Sequence, residues 1–136
     1  MKKSDLQFRF ARDVIALLTF CDEETNNGCL DKFVIGMVWR PVEYQKILKD
    51  GVTCPYCSNL HPDYPGGCSQ TLKSRHIEKM AIDLYFWING AFVENKRANK
   101  SLLVHIGEYW ESLYPKNRWG GNYRSFTDLP HFECLS

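Results

Sequence analysis

Apolar and polar positions along this chain follow two periods, and the changes of period mark its elements. Residues 6–20 place Phe8, Ala11, Ile15 and Leu18 at helical spacing, which predicts an amphipathic helix burying that stripe. The polar run 22–27, closed by Gly28, is read as its end. Residues 33–39 (FVIGMVW) are almost continuously apolar and predict a buried strand. Arg40 follows at once, and Pro41 suits the first turn of a helix to about Lys49, stopped by Asp50-Gly51. Arg40 is thus expected at a strand-to-helix corner, where side chains often point into a cleft. Residues 81–87 (AIDLYFW) predict a second strand, and Asn89-Gly90 a hairpin into residues 91–93. Helical period returns over 101–113, with Leu102, Leu103, Ile106, Trp110 and Leu113 facing inward. Trp119-Gly120-Gly121 opens another extended region, and His131-Phe132-Glu133 reads as a short final strand. The order predicts an α+β fold, a small and mainly antiparallel sheet with flanking helices.

Between residues 51 and 73 the period is lost among Cys, Pro, Gly and Ser. A loop of this length is functional, or is pinned by something other than a core. It carries Cys54, Cys57, His61 and Cys68, the composition of a structural zinc knuckle, although the spacing matches no standard knuckle. A Cys54–Cys57 redox pair and free thiols are the alternatives.

Size and charge narrow the function classes. One domain fits 136 residues, and 44% apolar with 14% aromatic residues argues for a packed core. Seventeen basic against 16 acidic residues leave a net charge of +1, without the basic footprint that nucleic acid requires. No run approaches the roughly 18 apolar residues of a membrane span. Asp5, Arg9, Arg12 and Asp13 interrupt the stretch after Met1-Lys2-Lys3, so no signal peptide is read there. A soluble monomer made in the cytoplasm is expected, with neither nucleic acid nor membrane as a partner. Six cysteines without a secretory signal favour thiols or metal ligands over disulfides.

The chemistry concentrates in two separated stretches, Ser74-Arg75-His76 through Ala81-Ile82-Asp83, and Asp128-Leu129-Pro130-His131-Phe132-Glu133. Asp83 shares a strand face with Ala81 and Tyr85, and His131 shares one with Glu133. Neighbouring strands would gather His76, Asp83 and His131 around one zinc ion, leaving the open position that catalytic zinc keeps. Asp128, three residues before His131, is placed to take a proton from the attacking water. Arg40, if it faces the same cleft, would stabilise the oxyanion. The plain alternative is a set of unrelated surface histidines and carboxylates.

These stretches resemble a known family. Ser74-x-His76 with Ala81-x-Asp83 is similar to the Ser-x-His-x-x-Gly-x-Ala-x-Asp motif of the D-alanyl-D-alanine carboxypeptidase and dipeptidase zinc peptidases. Asp128-x-x-His131 matches their acid-x-x-His signature, and Gly107-Glu108-Tyr109-Trp110 and Arg118-Trp119-Gly120-Gly121 resemble their phage endolysin-like branch. The family shares its fold with the hedgehog signalling domain, and the resemblance runs from about Phe33 to Glu133. It implies a single zinc peptidase domain over residues 1–136. His76, Asp83 and His131 would bind catalytic Zn2+, Asp128 would be the general base, and Arg40 would contact the substrate carbonyl. It also implies a peptidoglycan stem peptide as substrate, cut by a phage or prophage lysis enzyme that leaves the cytoplasm through a separately made pore. Two positions depart from the pattern. Lys79 replaces the motif glycine, and Asp128 stands where many members carry Glu. A cytosolic D-Ala-D-Ala dipeptidase and a non-catalytic zinc-binding module are the competing readings.

Other residues carry less. Ser74 and Trp119 are candidates for substrate contact, and Glu133 either orients a ligand or is a plain strand residue. His105 is read as a surface or boundary histidine, and Trp39, Trp87 and Trp110 as core or cleft wall.

Overall fold

The computed structural model describes residues 2–38, 50–51 and 80–135. Helix α1 (Lys3–Asn26) comes first, then β1 (Lys32–Ile35), β2 (Ala81–Ile88) and β3 (Ala91–Phe92). A 3-10 turn at Arg97–Asn99 leads into α2 (Lys100–Leu113), followed by β4 (Asn117–Trp119), a second 3-10 turn (Gly120–Asn122) and β5 (His131–Cys134). The strands form an antiparallel sheet in the order β1-β2-β5-β4, with β3 also paired to β2. This is the α+β arrangement that the order of elements predicts.

Helix α1 buries a different stripe from the expected one. Phe10, Asp13, Leu17 and Cys21 face inward, whereas Phe8 and Ile15 are each 65% exposed. Two apolar stripes overlap in this helix. The stripe that continues to Cys21 packs on α2, where Phe10 meets Trp110 edge-to-face at 5.7 Å and Phe20 stacks on Tyr109 at 4.2 Å. The helix also runs on through the polar residues 22–26, because Glu23 and Glu24 are good helix formers. The stop is Gly28 at φ +81°, a left-handed position that glycine occupies without strain.

The strand around residue 33 is a second correction. It is shorter than expected and mostly exposed, with only Phe33 half-buried, and among the described strands β1 lies at the end of the order. Trp39 and the helix expected after it lie outside the described residues, although Gly51 has the φ of +76° expected of a stop. In β2 the alternation is clear, with Ile82, Leu84 and Phe86 buried and Asp83, Tyr85 and Trp87 half-buried. The Asn89-Gly90 turn has positive φ at both residues, as a tight hairpin requires. On α2, Leu103, Ile106 and Trp110 are buried, while Leu102, expected inward, is exposed because it lies one step off the stripe 103-106-110.

The core lies between the helices and one face of the sheet. Trp110 sits at its centre, edge-to-face with Phe132, and its indole N–H donates to the carbonyls of Arg118 and Glu133. Buried Asn117 donates to the Asp13 carboxylate at 3.2 Å and to the Trp110 carbonyl at 3.1 Å, tying α1 to the α2–β4 connection. The opposite face of β2 and β5 carries Asp83, His131 and Glu133, each half-buried.

Candidate metal centre

Register brings two of the predicted ligands together. Asp83 lies directly opposite His131 across the β2–β5 pair. Its backbone is turned to the other side, where its N–H donates to the Met37 carbonyl and its carbonyl accepts from the Gly36 N–H, both at 2.8 Å. Asp83 and His131 are therefore a non-hydrogen-bonded pair on the β5 side, the kind in which facing side chains come closest. Their side chains meet, with His131 Nδ1 at 3.3 Å from Asp83 Oδ1. Each side chain is only 12–13% exposed. Leu84 N–H to the Pro130 carbonyl and Cys134 N–H to the Met80 carbonyl, each 2.9 Å, hold this register.

Glu133 occupies the next position on the same face, opposite Ala81, whose small side chain leaves room for the carboxylate. One Glu133 oxygen lies 3.4 Å from His131 Nε2, and the other accepts a short hydrogen bond from the Tyr123 hydroxyl. Both nitrogens of the imidazole thus face carboxylates. Burial by itself would lower the His131 pKa. Hydrogen bonds to Asp83 and Glu133 and the charges of Asp128 and Glu133 outweigh it, raising the pKa from 6.5 to about 9. The Tyr123 phenol is pushed up, first by burial and then by Glu133, so it remains a protonated donor.

Asp128 sits in the turn that delivers His131. The His131 N–H donates to the Asp128 carbonyl, and the Asp128 N–H donates to the Gly120 carbonyl, both at 3.1 Å. The turn approaches Gly120 so closely that a β-carbon there would stand 2.1 Å from the Asp128 carbonyl oxygen. Only glycine allows that contact. The negative charge of Asp128 contributes to the raised pKa of both His131 and Tyr123.

The donor set fits zinc. Two donors at about 2.0–2.2 Å from a tetrahedral ion lie about 3.4 Å apart, and the Asp83–His131 contact is 3.3 Å. An imidazole nitrogen and a carboxylate oxygen are both ligands that zinc accepts. Among the described residues no group of three such donors forms a complete site. The third predicted ligand, His76, lies outside them, as do Ser74, Arg40 and the cysteine-loop residues Cys54, Cys57, His61 and Cys68.

Trp119 is not in the groove expected of it. It is 1% exposed, and its indole N–H donates to the Leu129 carbonyl at 2.8 Å. Its neighbouring glycine serves packing, since a β-carbon at Gly107 or Gly121 would stand 2.1–2.3 Å from its ring. His105 pairs with Glu24 at 3.0 Å on the helix surface, in line with its boundary reading. Tyr123 carries no signal in the sequence, because a lone tyrosine in an irregular stretch has no spacing to mark it.

Comparison with known proteins bears on the family and the fold. The family model described as D-alanyl-D-alanine carboxypeptidase matches residues 67–134, half of the chain. The match takes in Ser74, His76, Asp83, Asp128 and His131. No curated protein matches the chain. Among solved structures, the L-Ala D-Glu endopeptidase ChiX of Serratia marcescens is similar in fold, with a TM-score of 0.50 at 20% identity. The likeness covers 76% of this chain and 66% of that one, so this chain spans just under two thirds of the length of the solved relative. Among the described residues no helix is long and apolar enough to cross a membrane.

Proposed function

The chain belongs to the D-alanyl-D-alanine carboxypeptidase family, and from that premise we propose that it is a zinc peptidase cutting an amide bond in the peptide part of peptidoglycan, as a phage or prophage lysis enzyme would. The observation that carries this reading is the Asp83–His131 contact, whose length suits two ligands of one tetrahedral ion on the sheet face turned away from the helices. His76 is the third ligand in this proposal, supplied by the matched motif. Zinc, when bound, supplies Lewis acidity that lowers the pKa of water and polarises a carbonyl.

The chain's own residues supply the rest. Asp128 takes the proton of the attacking water and returns it to the leaving amine. Its backbone is tied to Gly120 and to the His131 N–H, which fixes the turn that carries it next to His131. Arg40 stabilises the negative charge that develops on the scissile carbonyl oxygen. Ser74 contacts substrate, whereas buried Trp119 does not enter this proposal.

Purified protein is incubated separately with sacculi and with free D-Ala-D-Ala. The proposal expects soluble stem-peptide fragments from sacculi. Free alanine from the dipeptide alone would instead indicate a dipeptidase, and no hydrolysis of either would indicate a recognition module. Asp128→Asn is expected to lower wall hydrolysis by about 100-fold or more while sparing zinc content. Unchanged hydrolysis would remove Asp128 from the base role.

A further inference from the structure

We propose that Tyr123 is a positioning residue for the metal ligand His131, acting through Glu133; this rests on the zinc peptidase reading above. The three side chains form a chain of contacts on one side of the sheet. The Tyr123 hydroxyl donates to one oxygen of Glu133, and the other oxygen faces His131 Nε2 at 3.4 Å. The ring of Tyr123 stands against the imidazole, with centroids 6.1 Å apart.

The chemistry rests on the two nitrogens of imidazole. A neutral ring has one N–H and one lone pair, and the group facing one nitrogen decides which is which. Asp83 and Glu133 each face one nitrogen. Nδ1, which shares the ion with Asp83 in the site reading, must present its lone pair there, and this leaves the proton on Nε2 for Glu133 to accept. A carboxylate behind a ligating histidine is a general means of fixing its tautomer and orientation. Tyr123 adds a second constraint. A carboxylate bound at one oxygen only can swing, whereas Glu133 is held at both, and its own carbonyl accepts from the buried Trp110 indole at 3.1 Å. The backbone of Tyr123 is itself anchored, its N–H donating to the Gly120 carbonyl at 3.3 Å. That carbonyl also accepts from the Asp128 N–H. One glycine therefore sets the positions of both the proposed base and the tyrosine.

The test uses zinc affinity by chelator competition, 15N NMR of the His131 ring in the zinc-loaded protein, and the variants His131→Ala, Glu133→Gln and Tyr123→Phe. Glu133→Gln is expected to weaken zinc binding by about 10–100-fold, and Tyr123→Phe by a smaller factor. The wild-type ring is expected to show a protected Nε2–H, whose exchange speeds up in both variants. In the Glu133→Gln background, Tyr123→Phe is expected to add no further loss, since its effect passes through the carboxylate. Full additivity, or unchanged affinity and ring exchange in Tyr123→Phe, would overturn the positioning role. The underlying site reading fails by a separate result, namely zinc affinity unaffected in His131→Ala.

Discussion

On the side of β2 and β5 turned toward the helices stand Ile82, Leu84, Phe86, Phe132 and Cys134, all buried; on the other side stand Asp83, Tyr85, His131 and Glu133, each partly open. The two sets share the same backbone and alternate along each strand. One face supplies the burial that holds the strands in register, and the register in turn sets Asp83 against His131. The polar face contributes little apolar burial and gathers groups that repel or compete, with three carboxylates around one imidazole. Stability and chemistry are therefore separable by face. A substitution on one side should read out in folding at every pH, and one on the other in ligand binding and in the pH dependence of stability.

Truncating the helix-facing side gives the largest expected effect. Phe132→Ala removes a ring that contacts both Phe86 and Trp110, and should cost about 3–5 kcal/mol in chemical denaturation. Asp83→Ala on the other side, compared above pH 9 where His131 is uncharged, should change metal-free stability far less. Equal losses for the two would break the contrast between faces.

The half-buried imidazole on the polar face is expected to make stability depend on pH. The folded pKa of His131, about 9, is raised above the ordinary 6.5. Its stabilisation is therefore fully present below pH 6.5 and is lost as pH rises through 9. For the metal-free protein the difference is of order 3 kcal/mol, measured by denaturation on either side of that window, and His131→Ala should abolish it. A pH profile identical in wild type and variant would contradict the assignment.

Packing around Trp119 comes next. Gly107→Ala would place a β-carbon 2.1 Å from the indole, and overpacking of this kind costs about 1–3 kcal/mol. Thermal unfolding of the variant measures it, and a neutral result would contradict the tight packing of Trp119 on α2. The smallest effect is expected at the exposed His105–Glu24 pair, where His105→Ala should shift stability by less than about 1 kcal/mol.

Much of this arrangement is legible in sequence. The parity of AIDLYFW puts Asp83 on the face away from Ile82 and Leu84, and the Asn89-Gly90 turn closes the hairpin as expected. The acid-x-x-His spacing places Asp128 in the turn before His131. Other features are hidden for identifiable reasons. Helix α1 carries two apolar stripes, and only the partner helix decides between Phe8–Ile15 and Phe10–Leu17. Strand β1 is apolar yet lies at the end of the order of described strands, a matter of topology that composition does not encode. The glycine beside Trp119 suggests an open groove, while its actual role is to admit a buried ring. Tyr123 reaches Glu133 across ten residues of irregular chain, and no periodic rule links them.

The most direct test of the central claim is zinc stoichiometry, measured by elemental analysis of the purified wild type beside Asp83→Ala and His131→Ala. Each variant is expected to lose one equivalent relative to wild type while keeping its fold, whether or not the cysteine loop holds a second ion. Zinc content unchanged in both variants would contradict the metal centre and the peptidase reading built on it.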